Sequence, residues 1–408
     1  MKILFVSAYY DPDLHGGAEI ALRNLADGLD ARGHEVAIVC TAADGPLREE
    51  TRGNVRVWRS GIPNRYWPAD NVARSPWSRA LWHLRDSYNP RGGRIVGEVI
   101  RSFRPDVVCT EILAGLSIAA WDAAHALDVP VVHVLNDLHL LAPSHAAYKR
   151  RWQRPLARLF RLRHRERSAH VAAVVALSAS VLAHHLDAGL FDGVRTELIP
   201  TALAIAEPAL AQPPANGAPL RIGFLGRLTA SKGIELLLAA FASMPALRAE
   251  LFVGGDGVRT YVDRLHRRYA DARIHFLGRV PLAALYGQVD VSVVPSLQFD
   301  TLPNVVIESS AHHVPVIGAR VGGIPDLIRE GENGFVMDLK TRADMRRALT
   351  FMVDHRHELA AMRATARGAI RQLLNRESQL ARYEALFADV IASVPVTNAA
   401  GVDPSEAQ

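Results

Sequence analysis

Leu220-Arg-Ile-Gly-Phe-Leu-Gly-Arg-Leu-Thr-Ala-Ser-Lys-Gly233 opens as an apolar β-rich run, turns on glycine and enters a helical pattern reaching Ser243. A strand that ends on glycine and leads into a helix is the unit from which parallel sheets are built. Downstream the rhythm continues through strand Glu250–Val253, helix Arg259–Tyr269 and strand Ile274–Phe276, and Val291–Val294 with Val314–Ile317 are read as completing the sheet. Upstream, strands are read at Ile3–Ser7, Glu35–Cys40, Asp106–Cys109, Val129–Leu135 and Val171–Leu177, with a helical period over Glu19–Leu29. Between the two series, Pro208–Pro219 lapses into Pro, Ala, Gln, Asn and Gly, the composition of a linker. The pattern predicts an α/β protein of two doubly wound parallel sheets. Residues 1–207 form the first domain and 208–375 the second, followed by a helix over 376–393 and a disordered tail over 394–408.

Length and composition agree. At 408 residues the chain exceeds what one ordinary core fills, and 49% hydrophobic with 22% charged residues is the balance of a globular protein. Its longest nearly apolar stretch, Val171–Ala183, has 13 residues and two serines. A membrane span needs about 20 apolar residues, so this stretch is read as a buried strand running into a helix. Met1-Lys2 leads straight into a strand, which does not fit a secretory signal. Two cysteines, Cys40 and Cys109, call for no disulfide framework and are read as small core residues in a reducing, cytoplasmic setting. Net charge is +5, yet Lys149–Arg167 alone holds nine Lys/Arg against Glu166. One basic patch on a slightly acidic remainder argues against a nucleic-acid binder.

Ligands of open parallel sheets bind beyond the carboxyl ends of the strands, where glycine turns expose backbone N–H groups at helix starts. Gly16-Gly17, Gly226 and Gly254-Gly255-Asp256-Gly257 are such turns. Arg227 and Lys232 sharpen the second, because two cations beside a helix start suit a diphosphate leaving group. In Pro295-Ser-Leu-Gln-Phe-Asp-Thr-Leu-Pro-Asn-Val-Val-Ile-Glu308, Asp300 and Glu308 are separated by seven residues. With a helix starting near Pro303, Asp300 lies in the preceding loop and Glu308 in the second turn. Two carboxylates at different depths can hold two hydroxyl-bearing groups of one ligand. Asp11-Pro12-Asp13 matches a D-x-D metal motif but sits in the wrong structural setting. His184-His185 and His312-His313 are adjacent, about 100° apart on a helix, and are not ligand pairs. No metal is expected.

These blocks together resemble the retaining GT-B glycosyltransferases of family GT4, whose signature is E-x7-E. The resemblance runs through Gly16-Gly17-Ala18-Glu19, Arg32-Gly33-His34-Glu35-Val36, Gly226-Arg227-Leu228, Lys232-Gly233, Gly254-Gly255-Asp256-Gly257, Phe276-Leu277-Gly278, Pro295-Ser296, Asp300-x7-Glu308 and Gly322-Gly323-Ile324-Pro325. It implies two Rossmann-like domains facing across a cleft, the first binding acceptor and the second a UDP- or GDP-sugar, with the last helix crossing back. It implies diphosphate contacts from Arg227 and Lys232, ribose contacts from Glu308 and sugar contacts from Asp300. Further donor contacts fall to Gly16, Gly17, Gly255, Arg279, Val280, Leu302 and Asn304. The sequence departs from the family at Asp300 (Glu elsewhere), Pro303 (often Gly), Asn136-Asp137 (a common His-Asp) and Ile199-Pro200-Thr201-Ala202 (a common Pro-Asn-Gly). Asn136, Asp137 or His139 is therefore assigned to orient sugar or acceptor.

The implied activity is metal-independent hexosyl transfer with retention, to a sugar, lipid-linked or small-molecule acceptor in surface polysaccharide, glycolipid or glycosylated-metabolite synthesis. Trp152, Leu159 and Phe160 interleave with the cations of 149–167, a pattern for peripheral contact with anionic lipid. The competing readings are a catalytically silent nucleotide-sugar-binding subunit and an epimerase or phosphorylase of the same fold.

Overall fold

The computed structural model describes residues 1–13, 17–67, 74–141, 154–208 and 217–394. Its first sheet contains β1 (Lys2–Val6), β2 (Glu35–Thr41), β3 (Arg48–Arg52), β4 (Val55–Ser60), β5 (Val107–Thr110), β6 (Val131–Leu135), β7 (Ala173–Ala176) and β8 (Arg195–Leu198). Their order across the sheet is β3-β4-β2-β1-β5-β6-β7-β8, with all neighbours parallel except β3 and β4. The inner strands β1, β2, β5, β6 and β7 are largely apolar because helices cover both faces. Helix Pro90–Phe103 closes one face and helix Gly17–Ala31 the other. Cys40 and Cys109 lie buried among them.

The second sheet holds β9 (Leu220–Leu225), β10 (Ala249–Gly254), β11 (Ile274–Gly278), β12 (Val291–Val294), β13 (Val316–Ala319) and β14 (Gly334–Met337), in the order β11-β10-β9-β12-β13-β14, all parallel. The expectation that the sheet ends with the Val314–Ile317 run is corrected here, since β14 adds one more strand. Its first residue, Gly334, sits so close to β13 that a Cβ would stand 1.9 Å from Val316 O. Glycine there reads as turn in the sequence but is the condition for pairing. In the first sheet β3, β4 and β8 are also beyond the sequence expectation. Arg-Glu-Glu-Thr-Arg and Arg-Thr-Glu-Leu are the charged strands that close sheet edges, and they lack the apolar run by which inner strands are recognised.

The last helix, Arg376–Ala392, returns to the first sheet. Leu380, Tyr383, Leu386, Phe387 and Val390 enter the core that holds Leu25 and Leu29. Gly28 admits the approach, since a Cβ there would lie 2.7 Å from Leu380 Cδ2. Arg32 fixes the crossing with ion pairs to Glu377 (2.8 Å) and Glu384 (2.9 Å).

The two halves also meet through one loop. Phe299 stands edge-on to His184, with ring centres 4.8 Å apart, and Thr301 Oγ1 donates to Asn136 O at 2.9 Å. Ser180 N donates to Asp326 Oδ2 at 2.9 Å beside them. Strand order reverses between β1 and β5 in one sheet and between β9 and β12 in the other, the positions where open sheets bind ligands. Among the described residues, no helix is long and apolar enough to cross a membrane.

Candidate functional site

On the second sheet the site is assembled by backbone-to-backbone approach at glycines. Gly226 follows β9 with φ 151°, and Gly255 follows β10 with φ 128°. A Cβ on Gly255 would stand 1.9 Å from Gly226 O, so the two turns touch only because Gly255 carries no side chain. Arg227 is exposed directly after that contact. Gly233, at φ 77°, lies against Pro295 O, where a Cβ would come within 2.0 Å. Leu297 N donates to Ser231 O at 2.8 Å across the same seam. The Lys232 turn is thereby clamped to the loop after β12.

That clamp brings Lys232 Nζ to 2.6 Å from Asp300 Oδ2, an oxygen that also accepts from Ser296 Oγ at 3.0 Å. Gly323 N holds the Asp300 carbonyl at 2.8 Å. The cation and the sugar-facing acid expected from sequence are therefore one ion pair. Its side chains are 35% and 19% exposed, so solvent screens it and its worth lies in positioning more than in stability.

Helix Asn304–Ala311 begins immediately after Pro303, placing Glu308 in its second turn. Burial pushes the Glu308 carboxyl up to about 7. Asn304 Nδ2 lies 3.2 Å from where a Cβ on Gly17 would be, so the helix starts of the two halves meet at this point.

The other expected donor residues divide. Gly255 N donates to Gly278 O at 2.7 Å, so this glycine serves the turn contact and its amide is already engaged. Arg279 is at the rim, 85% exposed, with Asp256 at 3.2 Å. Val280 packs beside Leu225. Leu302 is wedged between the cores of the two halves, facing a cavity of about 590 Å³ that Leu177, Ile199, Leu373 and Gln379 also line. Gly16 lies outside the described residues.

On the first sheet Asn136 follows β6 and donates from Nδ2 to Glu111 Oε2. Asp137 Oδ1 accepts from His139 N at 2.9 Å, shaping the turn. The His139 ring is directed to Asp86, with Nε2 3.2 Å from Oδ2. Burial lowers the affinity of His139 for a proton, but the Asp86 hydrogen bond and charge outweigh this and the net shift is upward. Asp86 and Glu111 were not singled out in the sequence. Glu111 directly follows an apolar strand, a usable signal, whereas the Asp86–His139 pairing joins positions 53 residues apart.

The chain matches the family described as glycosyl transferases group 1 over residues 219–355, and a glycosyl transferase 4-like domain over 16–202. It is 28% identical over 334 residues to an uncharacterised 42.6 kDa protein in the cps region of Klebsiella pneumoniae, covering 81% of this chain and 88% of that one. It is 28% identical over 353 residues to a GDP-mannose-dependent alpha-mannosyltransferase of Mycolicibacterium smegmatis, covering 83% and 85%. Sucrose-phosphate synthase from Thermosynechococcus elongatus superposes with a TM-score of 0.72 at 21% identity, covering 96% of this chain and 99% of the other. The chain belongs to the GT4-type glycosyltransferases, with the GT-B fold.

A raised carboxyl on Glu308, the residue expected from sequence to meet the ribose, predicts pH-dependent binding. A carboxylate accepts two ribose hydroxyls, so binding favours the ionised form of Glu308 and releases its proton below about pH 7. Calorimetry with the nucleoside diphosphate at pH 6 and pH 8 should show weaker binding at pH 6, beyond the nucleotide's own titration, and Glu308→Gln should lose that extra slope. Equal slopes in the two proteins would remove Glu308 from the ribose site.

Proposed function

We propose that this chain is a retaining, metal-independent hexosyltransferase, moving a sugar from a UDP- or GDP-sugar to a hydroxyl-bearing acceptor of a surface polysaccharide or glycolipid. The observation that carries this reading is the Lys232–Asp300 pair beside Arg227 at the β9–β12 reversal. There a diphosphate meets two cations as charge develops on it, and the sugar attached to it meets Asp300. Glu308 takes the ribose, the Arg279–Val280 backbone the base, and Gly17 with Asn304 the phosphates. Asn136, Asp137 and His139 orient the sugar or acceptor. The GDP-mannose-dependent relative and the cps-region relative support the donor class and the polysaccharide setting.

Retention is reached by attack on the face from which the diphosphate leaves. The acceptor O–C1 bond forms as the C1–O bond to phosphate breaks, and the leaving phosphate oxygen takes the acceptor proton. Double displacement needs a free carboxylate at C1. Asp300 is poorly suited to that, since Lys232 and Ser296 both hold one of its oxygens. Asp11 and Asp13 are also engaged, with Arg23 (3.6 Å) and Arg52 (4.0 Å) on the first and Arg59 (3.9 Å) on the second.

For the proposed membrane contact through residues 149–167, residues 149–153 lie outside the described residues, and the surroundings of the helix over the rest support it. Helix Pro76–Asp86 turns Trp77 (83% exposed), Leu84 (69%) and Leu81 (47%) outward, one turn apart along one face. Ser87, at its end, accepts from His164 of helix Arg154–Arg167, which carries Arg163 and Arg165 on its exposed surface. An apolar ridge beside a cationic helix suits an anionic leaflet, where each basic residue adds about 1 kcal/mol.

Two outcomes follow. Assayed in excess EDTA, the wild type should keep its activity, while Arg227→Ala and Lys232→Ala should each lose about 10²-fold in kcat. Unimpaired turnover in both variants, or wild-type activity that returns only with Mg²⁺ or Mn²⁺, contradicts the clamp. In sedimentation, anionic but not neutral liposomes should retain the protein reversibly with salt, and Trp77→Ala with Leu84→Ala should release it. Indifference to anionic liposomes at low salt would remove the membrane role.

A further inference from the structure

A cavity of about 610 Å³ lies where three segments meet. They are the end of the first half at Glu207, the chain just past helix Asn304–Ala311 at His313, and residues 364–377 leading into the last helix. None of the residues assigned above to donor or acceptor lines it. Its size falls within the range of about 300–1,000 Å³ that small-molecule sites occupy.

Its lining is cationic, with Arg367, Arg371 and Arg376 brought together from one stretch of chain. Arg367 donates from Nη1 to Ala311 O at 2.7 Å, capping the helix that carries Glu308, and from Nη2 to Ile205 O at 2.9 Å. Its Nε stands 3.8 Å from Glu207 Oε2, too far for a hydrogen bond, so that edge of the guanidinium is open to a better acceptor. Arg371 is exposed and makes no hydrogen bond or ion pair among the described residues. Arg376 is tied to the first helix by Nη2 on Asn24 O, while its Nε is buried without a partner. The last helix also starts at this cavity. Asn375 Oδ1 caps it at Ser378 N, 2.9 Å away, which leaves Asn375 Nδ2 and the positive end of a 17-residue helix as further attractions for an anion.

The acids of the lining leave this charge incompletely neutralised. Glu207 is 70% exposed and reaches His313 and Arg367 only at 3.7 and 3.8 Å. Glu377 turns to Arg32 at 2.8 Å. Asp27 bears on Arg376 from the first helix but is shared with Arg23. We propose that this cavity binds a dianionic phosphate group, free or on a small metabolite, through Arg371, the Nε edge of Arg367 and the start of the last helix. The phosphate displaces Glu207 from Arg367, and the forked guanidinium suits its oxygens. Arg367 keeps its bonds to Ala311 and Ile205 meanwhile. An occupant therefore pins the linker, the end of helix Asn304–Ala311 and the last helix at one point outside the cleft. The site goes beyond the transferase reading and does not rest on it.

The test is calorimetry on the full chain at low salt, with inorganic phosphate, glycerol 3-phosphate and glucose 6-phosphate as probes and glucose as the neutral control. The phosphate probes should bind and glucose should not. Tighter binding of the esters assigns the site to a phosphorylated metabolite, and equal binding assigns it to free phosphate. Arg371→Ala should weaken the probes by about tenfold and Arg371→Glu should abolish their binding. Both should keep the wild-type melting temperature without probe, since Arg371 holds nothing in the fold. Glu207→Gln removes the competing carboxylate and should tighten binding by up to about fivefold. Lys232→Ala separates this site from phosphate captured at the proposed donor site. It should lower UDP or GDP affinity, whereas the Arg371-dependent binding should persist in it, so failure of the donor reading shows in the nucleotide titration alone. No binding of any phosphate probe, binding unchanged in Arg371→Glu, weaker binding in Glu207→Gln, or loss of the Arg371-dependent binding in Lys232→Ala would each overturn the site.

Discussion

The contact between Gly233 and Pro295 O is the constraint on which the donor half depends. A side chain at position 233 would need to stand 2.0 Å from that oxygen, so no other residue lets the Lys232 turn sit against the loop after β12. Once seated, Lys232 meets Asp300 at 2.6 Å and the loop is held from below. The pair keeps a cation and an acid ready at the same point without a fully buried charge. In the proposed reaction Lys232 reaches the incoming diphosphate while it still holds one Asp300 oxygen, and the other Asp300 oxygen meets the sugar hydroxyls.

From above, the same loop is held by the other half of the molecule. Phe299 meets His184, Thr301 meets Asn136, and Leu302 fills the space between the two cores. Residues 299 to 302 thus alternate between contacts with the first half and Asp300, the acid proposed to face the donor. The last helix, anchored by Phe387 and by Arg32, ties the end of the second half back to the first core.

Apart from β4, the inner strands and the order of the glycine turns were legible in the sequence, because buried parallel strands write themselves as apolar runs. The edge strands β3 and β8 were not, since their charges serve the sheet border and resemble loop. Arg227, Lys232 and Asp300 were legible as residue types in the loops after strands, and Glu308 as an acid in the helix that follows. That Lys232 and Asp300 form a pair was not, because they are 68 positions apart and their meeting depends on the Gly233 contact. Gly255 illustrates the opposite case. Its motif suggested phosphate binding, but its amide goes to Gly278 O and the glycine is there for close approach. His139 is similar, drawn to Asp86 by a pairing that no local pattern records.

The central claim is that charge builds on a diphosphate held by Arg227 and Lys232 while the acceptor attacks from the same face. Proton NMR of the first-formed product measures this most directly, through the coupling constant of its anomeric proton. Transfer from an α-linked nucleotide-sugar should yield an α-glycoside, with no glycosyl adduct on the intact protein by mass spectrometry. A β-glycoside, or a covalent adduct on Asp300, would contradict it.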